Sequence, residues 1–262
     1  MPRPDGSGVR GTGGQAVAET VVLVHGAWQG SWVWTRFVPW LQAAGLRAVA
    51  VDLPGNGADG TPPETASLDR YVAHVGAIVA AQPGPVALVG HSGGGVVATA
   101  VAERYRERVE RVAYVAGMML PPGMGFGDVL ADMKAAENGL LGIGPHLVWS
   151  HDRRVSTVPV EAAADIFLND VPRDEALRLA RGLTPQGEAG RAIATAWTPQ
   201  RFGTLPRLYV ECAHDRSVLL PVQRRMQALV PGAARVTLDA DHAPHVSQPR
   251  RLAEVLIPFL KG

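Results

Sequence analysis

The sequence predicts an α/β protein: a doubly wound, mostly parallel sheet with a helical cap inserted into it. Three observations carry that prediction. Six short apolar runs, at 20–25, 47–52, 85–90, 111–116, 207–212 and 235–240, are continuous rather than alternating, as strands covered on both faces must be. Helix-like stretches separate them, and strand alternating with helix calls for crossover connections and a parallel sheet. Between residues 118 and about 198 the alternation stops.

Each element follows from its own residues. Residues 1–18 hold Pro, Gly and polar residues without an apolar signal core, and read as a disordered leader. "TVVLVH" (20–25) is the first strand, followed by a helix over about 32–44. "RAVAVD" (47–52) is the second. "SLDRYVAHVGAIVAA" opens on Ser67, a good cap, and keeps apolar residues at helical spacing over 68–81. "PVALVG" (85–90) runs into a helix over 93–107, and "RVAYVA" (111–116) follows. Residues 118–198 form the cap, with helical pieces near 126–137, 160–168, 173–181 and 187–197 and no convincing strand. Four of the six methionines, Met118, Met119, Met124 and Met133, stand at its start. "RLYVEC" (207–212), a helix over 221–230, "RVTLDA" (235–240) and a helix over 249–260 complete the core. The core thus comprises residues 19–117 and 199–262.

The totals exclude several function classes. At 262 residues, 47% hydrophobic and 19% charged, the chain can bury a substantial core. A net charge of +1 with scattered arginines gives no electrostatic footprint for nucleic acid or an anionic membrane. One cysteine, Cys212, excludes an intrachain disulfide or a cysteine zinc site, and fits a cytoplasmic location. No apolar run reaches the roughly 18 residues of a membrane span. The histidines have no helical zinc spacing, so neither metal nor cofactor is expected.

One stretch carries chemistry. "LVGHSGGGVVA" places Ser92 between a strand and a helix, with Gly90 and Gly94 two residues to either side. A sharp strand-to-helix turn strains the serine backbone, and side chains at the flanking positions would collide. The serine needs a base, and the base needs a carboxylate, in the chain order Ser, Asp or Glu, His at strand ends. Asp215 lies just past 207–212, while Glu211 stands within that strand. Two histidines, His242 and His245, follow the last strand, and His242 is the nearer. Asp241 adjoins His242, but neighbours in an extended loop point apart. The loop "HGAWQG" after the first strand offers Ala27 N–H, which with Gly93 N–H would form an oxyanion hole. Gly26 permits close backbone approach, and His25 is expected to tie the loop down. Trp28, Met118 and Met119 are candidates for the substrate pocket. His74, His146, His151 and His214 read as surface or packing residues.

With "VLVHGAWQGSWVW", "VAVDLPGNGAD", "LVGHSGGGVVA", "LARGLTPQGEAGRAIATAW", "YVECAHDRSVLLPVQRRM" and "DADHAPHVSQPRRLAEVL", the chain resembles the α/β-hydrolase superfamily over roughly residues 20 to 260. More narrowly, it resembles the methylesterase and hydroxynitrile lyase group with its bacterial esterase relatives. The resemblance implies a helical cap over a mostly apolar pocket, a small-molecule ester substrate with an aromatic or apolar acyl group, and a monomer or homodimer. It maps a triad onto Ser92, Asp215 and His242, and oxyanion donors onto Ala27 and Gly93. The lyases of this group carry threonine and lysine where this chain has Gly26 and Ala243, so the resemblance implies ester hydrolysis instead of cyanohydrin cleavage. A thioesterase, lactonase or cyclase would use the same triad, and a ligand-binding protein on this scaffold could retain it.

Overall fold

A computed structural model describes residues 18–262, so the expected leader lies outside the described residues except for Ala18. In chain order the first half contains β1 (Thr20–Val24), a 3-10 turn at Ser31–Trp34, α1 (Val38–Ala43), β2 (Arg47–Val51), α2 (Leu68–Ala80), β3 (Val86–His91), α3 (Gly94–Arg104) and β4 (Val109–Val115). Then come α4 (Phe126–Asp132), β5 (Val148–Trp149), β6 (Val155–Thr157), α5 (Val160–Phe167), α6 (Arg173–Ala180), β7 (Gln186–Gly187) and α7 (Glu188–Arg191). β8 (Arg207–Cys212), α8 (Leu220–Leu229), β9 (Ala234–Leu238), α9 (Pro244–Ser247) and α10 (Pro249–Lys261) close the chain.

The main sheet has six strands in the order β2-β1-β3-β4-β8-β9, and every pairing is parallel. The continuous apolar runs are explained by its two covered faces. On β1, Val21 and Leu23 join Trp34, Phe37, Leu41, Leu252 and Leu256 on one side, while Val22 and Val24 join Val75, Val97 and Val101 on the other. β3 divides likewise, Ala87 and Val89 against Val86 and Leu88. Each fully buried Val or Leu contributes roughly 1.5–3 kcal/mol of transfer free energy, so this double burial holds the sheet rigid. Ser67 caps α2 by accepting a hydrogen bond from Arg70 N–H.

Two expectations are corrected. The helix expected over about 32–44 is a 3-10 turn followed by the six-residue α1, because Pro39 starts a new helix near its first position. The segment between β4 and β8 is not wholly helical. β5, β6 and β7 form a small antiparallel sheet, and the expected helix over 187–197 shrinks to the four residues of α7. Strands of two or three residues are too short to show a period of two.

The site-bearing geometry follows from topology. β3 sits between β1 and β4, so its carboxyl end opens at the middle of the sheet edge. Ligands in open α/β sheets bind beyond that edge.

Candidate active site

Only Ser92 and Gly93 separate β3 from α3. Ser92 has φ +51, a left-handed conformation that costs a non-glycine residue on the order of 1 kcal/mol or more. The surroundings fix it. Ser92 N–H donates to Val115 C=O (3.2 Å), and Ser92 C=O accepts from Gly95 and Met118 N–H (3.0 and 2.8 Å). A β-carbon on Gly90 would lie 2.7 Å from the Gly94 carbonyl oxygen, and one on Gly94 would lie 2.5 Å from that of His25. Both flanking glycines are therefore sterically required, and the turn is rigid.

The loop after β1 meets the elbow directly. A β-carbon on Gly26 would stand 2.8 Å from Ser92 Cβ, so any side chain there would press on the serine. A β-carbon on Gly93 would lie 3.8 Å from Ala27 N, so the Ala27 loop runs against the elbow. Among the described residues neither N–H donates to a protein acceptor. Gln29 Oε1 fixes the loop by accepting from Gly26 N–H (3.0 Å). His25 ties it down as expected: Leu53 N–H donates to its Nε2 (3.0 Å), so Nδ1 carries the proton and donates to Gly26 C=O (2.7 Å). That tautomer is neutral, and burial pushes the His25 pKa down to about 4.

The expected acid and base are joined. His242 Nδ1 lies 2.7 Å from Asp215 Oδ2, with both side chains buried. Asp215 Oδ1 accepts from Ser217 and Val218 N–H (2.7 and 2.9 Å), and Gln223 Nε2 approaches Oδ2 at 3.3 Å. A carboxylate with four donors is held in one orientation. Since the carboxylate only accepts, Nδ1 carries a proton, and in the neutral ring Nε2 is the nitrogen with the lone pair. The His242 ring lies 4.7 Å from that of His91, the residue before Ser92, and 5.4 Å from Phe167. His91 Nε2–H donates to His242 C=O (2.8 Å), which locks the histidine loop onto the elbow strand.

The residues weighed against these stand elsewhere. Glu211 is buried within β8 and bonds Thr237, Gln227 and Arg224. Asp241 turns toward Ser247 and the Ala243 and Asp170 amides. His245 is fully buried against Trp34 and His91, at 4.4 Å from each, and neither ring nitrogen has a partner. Burial pushes its pKa down to about 3.

Ser92, Gly93 and Ala27 border a cavity of about 350 Å³ whose other walls include Leu53, Tyr71 and Val97, together with residues of the β4–β8 segment, and Ser217 and Val218 after β8. Trp28 and Met118 line it. Met119 does not: it is fully buried in the core on the α3 side of the sheet, which corrects the expectation for it. Adjacent residues of a non-helical chain point opposite ways, so both methionines could not face one cavity. Trp28 N–H donates to Gln186 Oε1 (3.2 Å) and its indole N–H to Ser156 Oγ (3.2 Å). Gln186 Nε2 reaches Tyr71 Oη, which donates to Asn56 Oδ1. Sequence reasoning missed Gln223 and Gln186, because a lone glutamine carries no local pattern. Among the described residues no group of three or more His, Cys, Asp or Glu side chains could hold a metal ion. No helix among them is long and apolar enough to cross a membrane.

Comparisons with known proteins agree with this fold. Residues 21–255 match the profile of a family described as "Alpha/beta hydrolase family". A pyrethroid hydrolase of Sphingobium wenxiniae is 30% identical over 258 residues, covering 91% of this chain and 86% of the relative. Methylesterase 18 of Arabidopsis thaliana is 30% identical over 250 residues, covering 90% and 95%. The crystal structure of a pyrethroid hydrolase from Sphingobium faniae superposes with a TM-score of 0.78 at 26% identity, over 93% of this chain and 97% of that one.

Proposed function

The chain belongs to the alpha/beta hydrolase family, and on that premise we propose that it cleaves a small carboxylic ester with an aromatic or apolar acyl group through a covalent acyl-serine. Its enzyme class is that of the carboxylic-ester hydrolases, as the names of its relatives indicate. The observations that carry the mechanism are the His242–Asp215 bond of 2.7 Å and the strained elbow at Ser92, whose preceding residue, His91, has its ring 4.7 Å from that of His242.

In this reading Ser92 Oγ attacks the ester carbonyl carbon while His242 Nε2 accepts its proton. The carbonyl oxygen becomes an oxyanion held by Ala27 and Gly93 N–H, with the amino end of α3 adding a positive dipole. Such donors contribute roughly 3–4 kcal/mol each where water is excluded. The C–O bond then breaks as His242 returns the proton to the leaving alkoxide, releasing the alcohol. Water attacks the acyl-serine, gives its proton to His242, and the collapse of the second intermediate returns that proton to Ser92 Oγ. The products are one acid and one alcohol. Asp215 holds the tautomer and offsets the imidazolium charge throughout.

Gly26 and Ala243 favour hydrolysis over cyanohydrin cleavage, since neither position supplies a hydroxyl or an ammonium. The apolar walls favour an apolar acyl or alcohol group.

The direct test is turnover of p-nitrophenyl acetate. Ser92→Ala is expected to lower kcat by several orders of magnitude, leaving only the residual effect of the oxyanion donors. Wild-type turnover by that variant would refute the assignment. Preference for thioesters or lactones over esters by kcat/KM would move the substrate class and keep the triad.

A further inference from the structure

We propose that the preferred substrate carries a carboxylate remote from its scissile ester, and that Arg153 recognises it; this rests on the ester-hydrolase reading above. The cavity is chemically one-sided. Among the described residues the only charged side chains in its wall are Arg153 and Arg191, and no Asp or Glu lines it. His25, also in the wall, is the neutral tautomer. Ser92, Gly93 and Ala27 occupy the sheet side, while both arginines come from the β4–β8 segment.

The two arginines flank one indole. The Arg153 guanidinium carbon lies 4.8 Å from the Trp149 ring centroid, and that of Arg191 lies 5.6 Å away. Their charges are not equivalent. Arg191 makes a two-pronged pair with Glu188, at 2.7 and 2.8 Å, and its charge is offset. Arg153 has no carboxylate partner among the described residues. Its nearest acidic neighbour in sequence, Asp152, is engaged by Ser150 Oγ (2.7 Å) and Arg154 N–H (3.1 Å). The β5–β6 turn holds Arg153 in place: its N–H donates to Ser150 C=O (2.9 Å), and Ser150 N–H donates to Val155 C=O (2.8 Å).

Arg153 also borders an outer groove with Glu64, Arg154 and Glu188, so it stands where the cavity meets the outside. A guanidinium placed over an indole keeps its N–H fork for a planar anion, and a carboxylate matches that fork with two bonds. The apolar interior would hold the body of the substrate, with the ester at Ser92 and the carboxylate at the mouth. Because Arg153 acts on a part of the substrate that does not react, its effect falls on KM rather than kcat.

The test compares monomethyl adipate with dimethyl adipate at low salt and pH 7.5. Wild type is expected to favour the monoester by roughly five- to tenfold in kcat/KM per ester group, with the difference in KM. That ratio should fall toward one in Arg153→Gln, be partly kept in Arg153→Lys, and shrink in 0.5 M NaCl. A wild-type ratio at or below one, or the same ratio in Arg153→Gln, would overturn the proposal and leave the ester reading standing. If neither adipate is turned over, their competitive inhibition of p-nitrophenyl acetate hydrolysis reads the same ratio. Absence of all ester turnover by wild type would overturn the ester reading and the proposal with it.

Discussion

On the sheet side of the cavity, Gly26, Gly90 and Gly94 each sit where a β-carbon would come within 2.8 Å of another atom, and Ser92 is bonded to the chain from three directions. On the facing side, the wall is held by single side-chain bonds spanning long stretches of chain, such as Trp28 to Ser156 and to Gln186. The first wall is backbone against backbone at close range and tolerates no change of shape. The second combines a small backbone sheet with long-range side-chain bonds, and its side chains can be changed one at a time. On the proposed reading the reacting groups belong to the first wall and the selectivity to the second.

The sharpest way to test that division is the pair of buried histidines on one loop. His242→Ala or Asp215→Asn should lower kcat by roughly 10³–10⁴, since the base or its tautomer is lost. His245→Phe, only three residues on, should cost less than about tenfold, because its ring makes no hydrogen bond. Steady-state kinetics on one activated ester measures both.

A smaller effect is expected where the two walls touch. Gly26→Ala sets a methyl 2.8 Å from Ser92 Cβ and should lower kcat by about 10–100-fold. Gln186→Leu leaves Trp28 N–H and Tyr71 Oη without that partner. It should cost about 1–3 kcal/mol of stability and a few-fold in kcat/KM, read by thermal denaturation and kinetics. Equal losses of kcat in the two variants would break the contrast between the walls.

The fold was legible in large part because double burial writes itself as continuous apolar runs; the strand at Arg207–Cys212 begins and ends where the sequence indicates. The placement of Ser92, Asp215 and His242 was legible because each stands past a strand's carboxyl end, a position that topology alone defines. Gln186 was not: it reaches Trp28 across 158 residues, and nothing local announces that meeting. Gln223 hides likewise, as an ordinary polar residue of α8 that turns inward to Asp215. Met118 and Met119 look alike in sequence, and only the direction of each side chain separates a wall residue from a core residue.

The last expected effect concerns pH. His25 and His245 have pKa values lowered from 6.5 to about 4 and about 3. Burial is the main cause for both. As pH falls below 6.5 the unfolded chain takes up protons that these sites in the folded chain refuse. Stability is therefore full above about pH 6.5 and is lost progressively toward pH 3–4, by at most about 1.4 kcal/mol per pH unit for each group. Urea midpoints at pH 7 and pH 4.5 measure the slope, and His245→Phe should flatten it.

The central claim is that one serine on the rigid wall is the nucleophile. Intact-mass spectrometry after incubation with a fluorophosphonate tests it most directly. The expected result is one adduct per chain, mapped to Ser92, slowed by orders of magnitude in His242→Ala and absent in Ser92→Ala. No adduct on wild type, or the same adduct on Ser92→Ala, would contradict it.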